Sequence, residues 1–181
     1  MSIKRLRTPE VTLASLDKAR KMKSAQVLGK WWEQELKDHF EFLKARKEFY
    51  YHRFPDTNQC GNYLPDQPSD WLTRGPSCGA LLVEAKASKK FRSLHSCLAS
   101  NVSTQQALHH YLWRRAGGRS VFIFCGVMEP TLQLWDGGYV ADHRREGRVM
   151  KISEGGIAGT SADHGSLLGG GLLHLLEEHL L

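Results

Sequence analysis

Leu28, Trp32, Leu36, Phe40 and Leu43 recur at intervals of three or four, which puts them on one face of a helix and predicts a buried stripe. Ser24 stands in front of that stripe as its cap. The preceding segment, Thr8 to about Lys23, has its own helix-start pattern: Thr8 can cap, Pro9 suits the first turn and Glu10 complements the dipole. From Phe49 the texture changes. Phe49-Tyr50-Tyr51-His52-Arg53-Phe54 is aromatic-rich and bounded by Pro55-Asp56, as strands commonly are. A loop carrying Gly61, Pro65 and Pro68 then leads to a short strand around Asp70 to Leu72, a turn at Gly75-Pro76 and a clear strand from Ala80 to Ala87.

Asn101 to Ala116 has an apolar side through Val102, Ala107, Leu108, Tyr111 and Leu112, and Gly117-Gly118 ends the predicted helix. Val121 to Phe124 is an uninterrupted apolar run and reads as a buried strand. Thr131 to Trp135 alternates like a half-buried strand, and Asp136-Gly137-Gly138 reads as a turn into Tyr139-Val140. The order α, α, β, β, β, α, β, β predicts an α/β domain with a mixed central sheet flanked by helices. Gly155 to Gly171, rich in Gly and Ser, reads as a flexible linker to a leucine-rich docking helix, Leu172 to Leu181. The chain thus divides into a basic arm or helix (1–23), a core (24–152) and a linker with its terminal helix (153–181).

Composition narrows the function classes. A chain of 181 residues can bury the core of one domain without staples. No run approaches the roughly 20 apolar residues of a membrane helix, and Met1 to Leu13 lacks an apolar signal core, so a soluble intracellular protein is expected. Cys60, Cys78, Cys97 and Cys125 stand far apart with no C-x-x-C pair, and free, mostly buried thiols are expected. The glycines of the tail are not closed by Gly-Lys-Ser or Gly-Lys-Thr, which argues against a nucleotide cofactor. Twenty-five Lys and Arg against 19 Asp and Glu give a formal charge of +6, a balance that favours a polyanionic partner.

Candidate chemistry lies where charged residues interrupt an apolar strand. Glu84 and Lys86 follow Leu81-Leu82-Val83 and, two apart, point to one face. Asp70 lies fourteen residues before Glu84, a spacing that suits adjacent strands joined by a short hairpin with both carboxylates together. Pro55-Asp56 and Pro65-Asp66 are rival aspartates, but they sit among turn residues, whereas Trp71-Leu72 gives Asp70 strand character. A Glu-x-Lys triplet alone is common on solvated surfaces. Joined to an aspartate at this spacing, it supplies what phosphodiester hydrolysis needs: oxygen ligands for a hard cation and an ammonium for developing negative charge. Glu33, beside Trp32 on the helix stripe, can reach a site at the sheet edge.

Pro68-Ser69-Asp70-Trp71, Val83-Glu84-Ala85-Lys86-Ala87-Ser88 and Asn101-Val102-Ser103-Thr104-Gln105-Gln106, in that order, resemble the RecU-type Holliday-junction resolvases of the PD-(D/E)xK nuclease superfamily. Gly29-Lys30-Trp31-Trp32-Glu33 resembles the family's first-helix motif, and Gly118 to Phe124 the strand after its second core helix. The resemblance spans roughly Gly29 to Val140. It implies a restriction-endonuclease-like core and a Mg2+-dependent endonuclease, with Mn2+ as a substitute, that resolves four-way DNA junctions. Asp70 and Glu84 would bind the metal, with the Ala85 carbonyl as a further ligand. Lys86 would be the catalytic lysine, Glu33 would assist through a second metal or a water, and Gln106, or the adjacent Gln105, would contact the site from its helix. A homodimer is implied, because symmetric resolution needs two matched cuts, in the cytoplasm of a bacterial or phage-infected host. The family's junction-filling projection would fall in the interval Phe54 to Pro68, which is short and loop-like here. A same-fold nuclease acting on flaps, ends or duplex, and a non-catalytic junction-binding protein, are the alternative readings.

Among the remaining residues, Lys89, Lys90 and Arg92 follow the Glu84 strand, while Arg114, Arg115 and Arg119 follow the Gln106 helix. With Lys30, all but Arg119 are the principal candidates for holding DNA phosphates. Lys4, Arg5, Arg7, Lys18, Arg20, Lys21 and Lys23 could form an arm along phosphates, with a solvated face as the plainer reading. His109 and His110 are adjacent on a helix and diverge by about 100°, so ordinary surface or core roles are expected. Tyr50, Tyr51, Trp113 and Trp135 could stack on unpaired bases, but core packing is the stronger expectation.

Overall fold

A computed structural model describes residues 7–46, 49–54, 69–76, 79–89, 101–147 and 167–181. In chain order the elements are α1 (Leu13–Lys21), α2 (Ala25–Ala45), β1 (Tyr50–Arg53), β2 (Trp71–Gly75), β3 (Gly79–Ser88), α3 (Thr104–Arg115), β4 (Arg119–Gly126), β5 (Thr131–Asp136), α4 (Gly137–Glu146) and α5 (Gly171–Leu180). Lys4, Arg5, Cys60, Cys78, Lys90, Arg92, Cys97 and the Asp56 and Asp66 rivals lie outside the described residues.

The five strands form one mixed sheet in the order β1-β2-β3-β4-β5. All neighbouring pairs are antiparallel except β3 and β4. Parallel neighbours require a crossover, and α3 lies on that connection. Helices cover both faces. Leu16 and Ala19 of α1, the α2 stripe, and Leu172 and Leu176 of α5 share a core with Val83, Val121, Ile123 and Leu134. Phe122, Phe124 and Trp135 point to the other face, against Ala107 of α3 and Val140 and Ala141 of α4. Each large apolar side chain so buried contributes about 1.5–3 kcal/mol. Trp32 fixes α2 on the sheet through its indole N–H, which donates to the Ile123 carbonyl at 3.1 Å.

The α2 cap is Ser24, as expected, accepting from the Gln26 N–H. The α1 cap is not Thr8. Val11 is buried and bridges Gly169, which keeps the chain extended until Thr12 accepts from the Ser15 N–H. Arg20 is likewise no part of a phosphate arm: its guanidinium donates to the Val127 and Met128 carbonyls and pairs with Asp17, tying α1 to the β4–β5 turn. Helix α3 begins at Thr104 rather than Asn101, because Ser103 and Gln106 close a reciprocal capping box. β5 is buried on both faces rather than half-buried.

The turn expected at Asp136-Gly137-Gly138 is instead the start of α4, with the Asp136 side chain accepting from the Tyr139 N–H at 2.7 Å. Close approach explains the two glycines. A Cβ on Gly137 would stand 2.1 Å from Ser120 Oγ, and one on Gly138 2.3 Å from Arg114 Cδ. Gly75 has the same role at the end of β2, where a Cβ would stand 2.0 Å from the Leu180 carbonyl oxygen of α5. Gly75→Ala is therefore expected to lift the end of α5 off the sheet and destabilise the fold by about 1–3 kcal/mol. Denaturant unfolding would register this as a lower midpoint, and an unchanged midpoint would show that α5 is not held there.

Candidate active site

The hairpin inferred from the Asp70–Glu84 spacing is present. Trp71 pairs with Val83 across β2 and β3, so Asp70, one step further out, faces Glu84. The Asp70 carboxylate accepts the Ala85 N–H at 2.7 Å, while its carbonyl accepts from the Phe54 N–H at 3.0 Å. These bonds fix Asp70 between β1 and β3. On β3, Val83 joins the α2-side core, so the two-residue period turns Glu84 and Lys86 toward α3.

Glu84 is almost wholly buried, at 1% exposure. A charge at that depth persists only with partners. The Lys86 ammonium lies 2.7 Å from Glu84 Oε1, and the Gln106 side-chain amide donates to the same oxygen. Ser69 Oγ donates to Oε2 at 3.3 Å. Gln106 Oε1 in turn accepts from Lys86 Nζ at 3.3 Å and from the Ser103 N–H at 3.1 Å. The residue that closes the α3 capping box thus also holds the acid–lysine pair. Gln105, the other member of the adjacent pair, is exposed.

Burial, and then the charge of Glu84, pushes the Asp70 carboxyl well above the usual carboxylate range. Lys86 and the Ala85 N–H oppose that rise, and the nearby charge of Glu33 adds to it. Glu33 reaches the rim of the site from α2, where Arg53 of β1 forms an ion pair with it. Asp70, Glu84, Lys86 and Gln106 therefore meet beside the central strand β3, with the charge of Glu33 near enough to act on Asp70.

Sequence reading gave no role to Arg53 or Ser69. Ser69 stood inside a quoted motif, immediately before Asp70, and that adjacency was its only signal. Arg53 could have been found as the charged last residue of a four-residue strand, but its partner on α2 depends on tertiary packing.

The cationic candidates are dispersed. Lys30 and Arg115 are exposed and Lys89 half-buried. Arg114 pairs with Asp142 of α4 at 2.7 Å, and it lies about 12 Å along the helix axis from Gln106. His110 is buried against the Phe122 ring, with its pKa lowered to about 3, chiefly by burial. Trp135 is core, Trp113 donates to the Arg119 carbonyl, and Tyr51 packs on Phe40. Tyr50 is 56% exposed. The thiol of Cys125 is free and buried.

Among the described residues, no three or more His, Cys, Asp or Glu side chains are arranged to enclose a metal ion. The donor set on offer is the facing pair Asp70 and Glu84. Mg2+ keeps much of its water shell and takes one or two carboxylates plus substrate oxygens, so this pair fits such an ion. Burial first, and the charge of Glu84 second, raise the Asp70 carboxyl, and a cation would relieve the second of these. Among the described residues no helix is long and apolar enough to cross a membrane. No protein-family model matches the chain, and no curated protein matches it significantly.

Proposed function

We propose that the protein is a Mg2+-dependent endodeoxyribonuclease of the PD-(D/E)xK type that cuts branched DNA, with four-way junctions as its substrate. The observation that carries the reading is the meeting of Asp70, Glu84, Lys86 and Gln106 at the ends of β2, β3 and α3. The RecU-type resemblance adds the substrate, and the formal charge of +6 suits a polyanion.

Asp70 and Glu84 would hold the cation, with the Ala85 carbonyl as a further donor; Mn2+ would substitute. The chemistry such an ion supplies is neutralisation of phosphate oxygens and acidification of a water. Lys86 is held at Glu84 by Gln106, so its ammonium stands ready at the carboxylate edge to orient a nucleophile and stabilise negative charge. Ser69 keeps Glu84 turned inward. Glu33 is neutralised by Arg53, and substrate phosphate competing for that guanidinium would free Glu33 to take up a water or a second ion. Two matched cuts require two such sites, hence a homodimer.

The short Phe54 to Pro68 interval favours one competing reading, the same chemistry on flaps, ends or linear duplex. Cleavage of an end-labelled synthetic four-way junction, run beside matched linear duplex with Mg2+ or EDTA, separates the two. Paired symmetric nicks in the junction that require Mg2+ are expected. Equal cutting of linear duplex would transfer the reading to another DNA substrate. A folded protein that cuts neither would end the enzyme assignment and leave junction binding to be measured.

A further inference from the structure

Glycine is a costly residue inside a helix, tolerated where close packing or a positive φ requires it. Gly75, Gly137 and Gly138 lie under close neighbours, and Gly79, Gly117, Gly147 and Gly169 have positive φ. Gly29 has neither reason. It lies within α2, and apart from its chain neighbours and its own helix backbone no described residue comes within 4 Å of the position a Cβ would take. It is also one turn before Glu33, in the same row of the helix surface, and so lies one turn along α2 from the carboxylate at the rim of the site.

Cations flank the same row. Lys30 is adjacent and exposed, Lys37 is exposed one turn beyond Glu33, and the Arg53 guanidinium at Glu33 is 49% exposed. Of the acids near this strip, Glu33 is paired with Arg53, Asp38 accepts from Gln34 and Glu41 accepts from Tyr51. We infer that Gly29, Lys30, Lys37 and Arg53 form a seat for the sugar–phosphate backbone of the DNA strand entering the site. Without a Cβ, the helix backbone can come into van der Waals contact with that strand, while the three cations neutralise its phosphates. A second copy of the chain is a poorer occupant, since it would bring another net charge of +6 toward these cations. The inference rests on the nuclease reading of the site and adds where the substrate backbone lies.

The test separates fold from binding. Junction affinity is measured by fluorescence anisotropy in EDTA, where no metal-dependent cutting occurs, for the wild type, Gly29→Ala and Gly29→Leu. Gly29→Ala is expected to raise the thermal midpoint by about 2–4 °C, because alanine is the better helix former. The same change should weaken junction binding by about tenfold by blocking close approach, and Gly29→Leu should weaken it more. Lys37→Ala should lower the salt-dependence slope by about one. If the wild type binds no DNA, the nuclease reading itself fails and the seat with it. If the wild type binds and both Gly29 variants bind equally well, the seat is refuted while the nuclease reading stands. Loss of self-association in sedimentation, with DNA affinity unchanged, would assign the bare strip to a second copy and likewise overturn the inference.

Discussion

Lys86→Ala is expected to reduce Mg2+-dependent DNA cleavage by about 10²–10³-fold, the usual consequence of removing one preorganised donor from a developing negative charge. The structure also predicts a stability change. Lys86 is the ammonium 2.7 Å from a carboxylate that is 1% exposed, and removing it leaves Glu84 with hydrogen-bond donors but no opposing charge. Breaking a buried pair from one side is strongly destabilising, by about 3–5 kcal/mol where the charge stays buried and unpaired; the Gln106 and Ser69 donors bring the expected loss below that figure. The unrelieved Asp70–Glu84 pair should then gain more from a cation, so Mg2+ should raise the thermal midpoint of Lys86→Ala by more than it raises that of the wild type. Assays run at a temperature where circular dichroism shows the variant folded keep the rate loss distinct from unfolding. Cleavage at the wild-type rate would remove Lys86 from the chemistry and leave it as the counter-ion of a buried acid.

The elements that were legible in the sequence are those whose signal is local. The α2 stripe from Leu28 to Leu43 declares its period, and Ser24 declares its start. Glu84 and Lys86 share a face because strands have a period of two, and fourteen residues back from Glu84 is as far as a tight hairpin needs to bring Asp70. Failures came where tertiary contacts override a local pattern. Gly137-Gly138 reads as a turn because glycine usually marks one, but here the pair lets α4 start against Ser120 and Arg114. Thr8 and Pro9 look like a helix start until Val11 is claimed by the core and by Gly169. Arg20 resembles any other cation of a basic segment, and only the fold brings the Val127 and Met128 carbonyls to it. The site shows the same division: the acids and the lysine are readable along β2 and β3, whereas Arg53 acquires a role only when β1 packs beside α2.

Asp70→Asn should stabilise the metal-free protein at neutral and higher pH while eliminating Mg2+-dependent cleavage. The sign follows from proton linkage. Burial first, and Glu84 second, hold the Asp70 carboxyl well above its ordinary value of 3.8, so the folded state keeps this proton over a range in which the unfolded chain has released it. Stability from this group is therefore fully present below the unfolded value and declines as pH rises through the raised folded value. In EDTA the wild-type thermal midpoint should fall as pH rises above the ordinary carboxylate range, by about 2–4 °C for each kcal/mol lost. Mg2+ should oppose that decline, because a cation between Asp70 and Glu84 favours the doubly ionised pair and binds more tightly as the proton leaves. Asparagine cannot ionise, so the variant should lose this contribution to the decline and most of the Mg2+ stabilisation together. If it keeps the full Mg2+ stabilisation, the cation does not sit at Asp70. If the wild type in EDTA instead becomes more stable as pH rises, neither burial nor the charge of Glu84 holds the Asp70 proton, and the two carboxylates are not a pair that a cation would relieve.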